Sequence, residues 1–386
     1  MPRKYSVKVN EGMLSPRTAA KDAGIGMTAI KSGVSAKARL GVVVVLYDSA
    51  DVIEACLRSL LRQSEAIGRI VLVDNHCPKG SADAVEKTAT ALGLPVRELR
   101  SQDGSIPAEG SIELIRAAAN LGYAGGVNQG LMHLHADPRI DYFWVLNPDC
   151  ELSEGCADRL LRAADHAILK DGFALLGTRI LYNSETSTVQ SDGGVCCKWT
   201  GRCRNLNQGL TPADAKRVGD EKIDFVSGAS MVASRRFLDQ SGLMPEEYFL
   251  YYEEVAWARR RQELPLIICH DAVVQHHGGT AIGSGSPDRA ASPVSSYFNF
   301  RNRMRFVAKH RPATLPVSYC FSLLKAGQTL LKGNLHSAIA AFRGMHGLPP
   351  SKQVRMRFDQ QAQHFAFGSV APVPAKPSSR APKLPA

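Results

Sequence analysis

The chain is short of negative charge over one long stretch: between Asp288 and Asp359 there is no Asp or Glu at all. Such a segment is drawn to polyanions, whether phospholipid surface, polyphosphate lipid or nucleic acid. Long apolar runs are also missing. Leu40–Leu46 is seven residues, and the uncharged stretch Pro312–Leu324 carries two prolines, against the roughly 20 apolar residues needed to span a bilayer. A chain of this kind meets a membrane by lying on it. The nine cysteines, at 56, 77, 150, 156, 196, 197, 203, 269 and 320, are odd in number and form no C-x-x-C pair. That argues against a disulfide framework and fits a reduced, cytosolic compartment. Cys196, Cys197 and Cys203 lack the spacing of a standard zinc site. No Gly-Lys-Ser/Thr loop follows a glycine-rich run, and no G-x-G-x-x-G follows the first apolar strand, so neither a P-loop nor a dinucleotide fingerprint is present.

At 386 residues, 44% hydrophobic and 22% charged, the chain has enough material for one large core with appendages, or for two domains. The net charge of +11 divides unevenly. Residues 1–40 carry +6, residues 301–350 carry +8, residues 351–386 carry +5, and residues 41–300 carry −8. The body is acidic and its flanks are basic.

The arm up to residue 38 is polar, basic and aperiodic, and is expected to be disordered. From Leu40 the pattern changes. Gly41–Tyr47 reads as a continuous apolar strand of the kind buried on both faces in a parallel sheet. Asp51 through Arg62 follows as an amphipathic helix with Val52, Cys56, Leu57, Leu60 and Leu61 on one face. Arg69–Val73 is a second strand, ending at Asp74-Asn75. Ser81 is expected to cap a helix reaching Leu92, with Gly93 ending it. Pro95–Leu99 and Tyr142–Leu146 are further strands, the latter closed by Asn147-Pro148-Asp149. Strands and helices alternating at this spacing predict an α/β domain with a mainly parallel central sheet flanked by helices. Asp224–Ala233 and Leu266–His276 read as later strands, the second broken at His270-Asp271. Gly283–Pro287 reads as a flexible loop, either a lid or a linker.

Ligands of such sheets bind at the carboxyl ends of the strands, where Asp48, Asp74 and Asp149 are expected together. Glu253 and Glu254, at the start of one helix, have the chemistry of a general base. Asp149 has that of a ligand for Mg²⁺ or Mn²⁺, and a strand-end histidine suits Mn²⁺ as a second ligand. Adjacent strand residues face opposite ways, so only one of His276 and His277 serves. The Asn120–Gly130 run is glycine-rich and opens a helix, which allows close backbone approach to an anion or simply a tight turn.

Five stretches in order carry a resemblance: Val45–Ser49; Val73-Asp74-Asn75; Asn120–Gly130; Leu146–Asp149; and Phe225–Ala229 running on to Tyr251–Glu254 and His276–Gly279. Together they resemble an inverting family 2 glycosyltransferase of the GT-A fold, nearest to its rhamnosyltransferase-like group, over about Leu40 to Arg311. The resemblance implies donor contacts from Tyr47, Asp74, Asn75, Gly125, Gly126, Asn128 and Asn147. It implies a metal held by Asp149 and His276, and Glu254 as catalytic base with Glu253 beside it orienting the acceptor. The family pattern there is Glu-Asp-x-Asp, whereas this chain has Glu253-Glu254-Val255-Ala256, so the base is one methylene longer and the second acid is gone. The implied partners are a nucleoside-diphosphate sugar, with deoxythymidine-diphosphate rhamnose the commonest donor of the group, and a saccharide or lipid-linked acceptor in cell-surface polysaccharide synthesis. Rival readings are a catalytically impaired carbohydrate or lipid-phosphate binding protein, and a sugar-phosphate nucleotidylyltransferase. The latter would need a basic glycine-rich loop where Tyr47–Ala50 stands. Nucleic acid is disfavoured, since no recognition motif accompanies the charge.

The resulting domain expectation is a disordered basic arm at 1–38, a GT-A domain at 39–300, a basic amphipathic helical extension at 301–350 and a largely disordered tail at 351–386. In the extension, aromatic and aliphatic residues interleave with Arg301, Arg303, Arg305, Lys309, Lys325, Lys332 and Arg343. That pattern suits an anionic membrane surface, or a helical subdomain packed on the core. The expected location is cytoplasmic, peripheral on the cytoplasmic face of the membrane.

Overall fold

The computed structural model describes residues 39–63, 65–99, 111–183, 187–278, 283, 285 and 289–368. The basic arm, most of the Gly283–Pro287 loop and the chain beyond 368 lie outside these residues.

The apolar runs become strands β1 (Leu40–Leu46), β2 (Ile67–Asp74), β3 (Val96–Leu99), β4 (Ile112–Arg116) and β5 (Tyr142–Leu146), all parallel to one another. They are followed by β6 (Cys150–Leu152), β7 (Leu175–Tyr182), β8 (Val189–Ser191), the separate hairpin β9 (Gly194–Cys196) and β10 (Cys203–Asn205), then β11 (Ser230–Ser234) and β12 (Leu266–His276). The main sheet runs β3-β4-β2-β1-β5-β11-β7-β12-β6, with β8 on β7. Only β6, β8 and β11 run against the rest. This is the mainly parallel, mixed sheet expected of the GT-A fold.

Helices α1 (Ile53–Leu61), α2 (Ser81–Ala91) and α4 (Cys156–Ile168) cover one face. Helices α3 (Gly122–His135), α5 (Arg235–Ser241) and α6 (Glu253–Ala258) cover the other. Val42 and Val44 of β1 point into the first layer, Val43 and Val45 into the second. Burial on both faces is why that strand reads as unbroken valine.

Ser81 is the first residue of α2 rather than its cap. Gly80, with φ of 68°, is the cap, and the Ser81 hydroxyl instead receives the Ser49 N–H at 3.0 Å. The expected strand Asp224–Ala233 shortens to β11, because Asp224 and Phe225 pair with Gly194 of β9 instead. The expected break in β12 is a register shift between Cys269 and Val273.

β4 has no counterpart in the sequence reading. It was hidden by Glu113, which is fully buried and accepts hydrogen bonds from Arg69 Nε (2.8 Å). His133 Nε2 lies 2.6 Å from the same carboxylate, whose pKa is held low by these partners against the opposing cost of burial. Removing one side of a buried pair strands the other charge at a cost of about 3–5 kcal/mol. Arg69→Met is therefore expected to lower the urea midpoint sharply, and adding Glu113→Leu should recover most of the loss.

The boundary expected at 300/301 falls inside one helix, α7 (Pro293–His310). It is followed by α8 (Leu315–Leu331), α9 (Leu335–Met345), α10 (Lys352–Arg355) and α11 (Gln360–Phe367). Residues 352–355 and 360–367 are thus helical rather than disordered tail. Phe358 and Phe367 anchor them, their rings 6.0 Å and 5.6 Å from Phe298 of α7, and Phe358 also meets Phe249 edge-on. Two phenylalanines nine residues apart carry no periodicity, so composition hides this small aromatic core.

Candidate active site

Strands β2, β1 and β5 lie side by side, neighbouring strands being about 4.8 Å apart, so Asp74, Tyr47 and Asn147 share one edge of the sheet. Asp74 accepts the Cys77 N–H at 3.0 Å, and its other oxygen is 3.8 Å from Arg116. Burial pushes its pKa up, partly offset by the Cys77 hydrogen bond. Tyr47 is half-buried, with its hydroxyl toward the Arg357 carbonyl at 3.5 Å. The third strand-end acid, Asp48, is occupied by Lys79 at 2.8 Å.

Beyond β5, the turn into β6 brings Asp149 to within 3.1 Å of His276 Nε2 at the end of β12, both side chains at least nine-tenths buried. Asn147 Nδ2 is 3.3 Å from the same nitrogen. The opposite ring nitrogen, Nδ1, meets Gln190 Oε1 at 2.7 Å, which orients the imidazole as outer partners of metal-bound histidines do. Gln190 carried no signal in the sequence. Asp149, His276 and the buried Cys150 thiol offer ligand atoms within 4.8 Å of one another. Burial drives the Cys150 pKa well up, and the carboxylate and imidazole are the donors that suit Mg²⁺ or Mn²⁺. His277 faces the other way, 2.6 Å from Asn183 and 3.3 Å from Glu151.

Glu253 and Glu254 begin α6. Glu253 is 3% exposed and its Oε2 has no hydrogen-bond partner, while Glu254 is only partly buried and so reachable from outside. Burial raises both carboxyls well above the ordinary range, and the charge of Glu254 raises Glu253 further. Ala256, where the family pattern has a second acid, packs into the hydrophobic core beside Trp257. Tyr123, half-buried, lies within electrostatic reach of Glu253, Glu254 and Asp149 and donates to the Gly228 carbonyl at 2.6 Å.

The segment that presents Glu253 is strained: Phe249, Tyr251 and Tyr252 have φ of 65°, 68° and 78°. Such left-handed residues cost about 1–3 kcal/mol each and persist only where surroundings impose them. Here α7 imposes them. Asn302, fully buried, donates from Nδ2 to the carbonyls of Tyr248 (2.8 Å), Leu250 (2.6 Å) and Tyr251 (3.1 Å), and Arg301 donates to Tyr248 (2.9 Å). On the other side the Tyr123 N–H donates to Phe249 O at 2.8 Å. A Cβ on Gly122, itself at φ +77°, would collide with that carbonyl.

The remaining expected donor residues have contacts within the scaffold. Asn75 spends its amide on Asn120 Oδ1 (3.2 Å), Gly122 O (2.9 Å) and the Leu121 N–H (3.0 Å), which shapes the turn into α3. Asn128 binds Met244 in both directions and Glu246 Oε1 at 2.7 Å, tying α3 to the chain before α6. Gly125 and Gly126 face protein rather than a cleft: a Cβ would meet Leu121 at the first and, at 2.7 Å, Val45 at the second.

Asp74 and Asp149 thus lie at the carboxyl edge of a mainly parallel sheet, Asp149 paired with His276, while Glu253 and Glu254 open α6. The model of glycosyl transferase family 2 matches residues 41–240, and the chain belongs to that family. It is 25% identical over 267 residues to the low-salt glycan biosynthesis hexosyltransferase Agl10 of Haloferax volcanii, covering 68% of this chain and 74% of the relative. It is likewise 25% identical over 279 residues to the N-acetylglucosaminyl-diphospho-decaprenol L-rhamnosyltransferase of Mycobacterium tuberculosis, covering 68% and 83%. A solved structure, the mannosyltransferase PcManGT from Pyrobaculum calidifontis in complex with GDP-Man and Mn²⁺, aligns over 80% of this chain and 87% of its own, at TM-score 0.47 and 16% identity.

Proposed function

We propose that this chain is an inverting, metal-dependent glycosyltransferase. It moves a sugar, rhamnose being the first candidate, from a nucleoside-diphosphate donor to a hydroxyl of a saccharide or lipid-linked saccharide in cell-surface polysaccharide synthesis. The observation that carries the reading is the buried Asp149–His276 pair, 3.1 Å apart, with the imidazole oriented by Gln190.

In this reading Glu254 accepts the proton of the acceptor hydroxyl as its oxygen bonds to the anomeric carbon. The bond from that carbon to the diphosphate oxygen breaks, and the nucleoside diphosphate leaves. One displacement inverts the carbon. Asp149 and His276 would hold Mg²⁺ or Mn²⁺, which when bound would supply charge neutralisation to the diphosphate. Asp74 accepts the ring N–H of a uracil- or thymine-type base in a charge-assisted hydrogen bond, with Tyr47 against the base. Glu253 sits enclosed beside Glu254, whose charge adds to the burial that holds the Glu253 carboxyl up. No helix among the described residues is long and apolar enough to cross a membrane. Leu324, Leu331, Leu335 and Phe342 are exposed among the lysines of the C-terminal helices, which suits a peripheral position on an anionic, cytoplasmic membrane face.

A thermal-shift series with nucleoside diphosphates and Mn²⁺ tests this. Ligand at about a hundred times its Kd stabilises by ~2.7 kcal/mol, so a clear rise in Tm is expected. Asp149→Ala should lose the metal-dependent part. If no nucleotide shifts the wild-type chain, the reading is withdrawn.

A further inference from the structure

Helices α7 and α8 and the β9–β10 turn border an open cavity of about 260 Å³, lined by Arg202, Arg303, Lys325 and Lys332 with the rings of Phe300 and Phe321. Among the described residues none of the four cations forms a salt bridge, and the flanking sequence holds no acid to supply one. Arg303 is itself buried. Its guanidinium lies 4.9 Å from the Phe300 ring and 5.6 Å from Phe321, and the Lys325 ammonium lies 5.7 Å from Phe321. Four cations around one cavity, two of them against aromatic faces and none in a salt bridge among the described residues, make a receptor for a multiply charged anion.

Two further features narrow the ligand. The cavity adjoins the machinery described above: Arg303 Nε donates to Tyr252 Oη at 3.3 Å, and Tyr252 immediately precedes Glu253. Cys203 lies within electrostatic reach of both Arg303 and Glu254. In addition, α8 repeats two patterns at seven residues. Lys325 and Lys332 line the cavity, while Val317, Leu324 and Leu331 stand exposed, Leu331 at 88%. Lysines beside a bare leucine stripe on one helix match a ligand that is anionic at one end and hydrocarbon at the other.

We propose that this cavity binds the diphosphate of a lipid-diphosphate acceptor, with the hydrocarbon chain lying along the Val317–Leu324–Leu331 stripe. The proposal rests on the glycosyl-transfer reading above and names the acceptor end of the same site. Arg303 and Arg202 grip the phosphates, Lys325 and Lys332 close over them, and the sugar beyond the diphosphate extends toward Glu254.

The test uses the full chain in EDTA, so that no cation recruits phosphate to Asp149 and His276. Binding of inorganic pyrophosphate, farnesyl diphosphate and farnesol is measured by calorimetry. Farnesyl diphosphate is expected to bind about ten-fold or more tighter than pyrophosphate, and farnesol weakly. Lys325→Glu with Lys332→Glu should weaken both diphosphates about ten-fold or more, whereas Leu324→Ser with Leu331→Ser should weaken farnesyl diphosphate alone. If the reversal variant misfolds, Lys325→Gln with Lys332→Gln serves with a smaller loss. Absence of diphosphate binding at low salt, or binding indifferent to the lysines, overturns the proposal. So does a reversal variant that releases only phosphatidylglycerol vesicles, which would make the lysines a membrane contact. The nucleotide–Mn²⁺ thermal shift on the same wild-type sample reports separately on the donor reading, so failure of one is visible apart from failure of the other.

Discussion

Glu254→Gln is expected to lower turnover by about 10²–10⁴-fold, the usual contribution of a general base, with the nucleotide–Mn²⁺ thermal shift retained. Glutamine keeps the shape and one acceptor oxygen but cannot take the proton of the attacking hydroxyl. The wild-type pH profile should carry the same signature. Burial raises the Glu254 carboxyl well above the ordinary range, so the protonated form, useless as a base, persists to higher pH than for an exposed glutamate at about 4.3. Accordingly kcat/KM should rise with pH through that raised value and fall about ten-fold per unit below it, and this limb should vanish in Glu254→Gln. Glu254→Asp restores the family's usual acid at this position but withdraws the carboxylate by one methylene. A displacement near 1 Å costs about 10²-fold, so the aspartate variant should remain impaired in a site built for glutamate. A Glu254→Gln enzyme with wild-type turnover would remove the residue from the mechanism.

The fold was legible in sequence where one force dominated, and hidden where two opposed each other. Val42–Val45 lies between two apolar layers, so nothing polar interrupts it and the strand is plain. Glu113 is as buried as those valines, but its charge is cancelled by Arg69, and a string of residues records the charge without the cancellation. Asn75, Asn128, Gly125 and Gly126 carry a similar ambiguity. Their residue types are those of ligand contacts, yet an amide or a missing Cβ is equally useful for locking a turn or seating a helix on a strand. Asp149, His276, Glu253 and Glu254 could be picked out by type and place at element ends. The pairing of Asp149 with His276, and the role of Gln190 behind it, come from elements far apart in the chain. Asn302 was lost for a different reason. The abrupt rise in positive charge at 301 suggests a new segment, but the rise begins in the middle of α7, whose Arg301 and Asn302 face inward to the strained turn.

That inward face yields the second large effect. Asn302→Asp, nearly isosteric, is expected to reduce kcat/KM by about 10²-fold through misplacement of Glu254. The native amide supplies donors to three carbonyls of the 248–251 turn. An aspartate presents oxygens to oxygens there; the Tyr248 carbonyl keeps its bond from Arg301, and a buried carbonyl such as that of Leu250 left without a donor costs about 1–3 kcal/mol. The left-handed conformations of Phe249, Tyr251 and Tyr252 then lose what imposes them, and relaxation toward ordinary backbone angles swings the start of α6. Asp149 and His276 belong to other elements, the turn after β5 and the end of β12, so the metal-dependent nucleotide shift should survive while turnover falls. A purely structural role would lower Tm and leave turnover per folded molecule untouched. Turnover within about threefold of wild type, measured on protein with native circular dichroism, would show that the strained turn holds its shape without α7 and would end the assignment of Asn302 as a positioning residue.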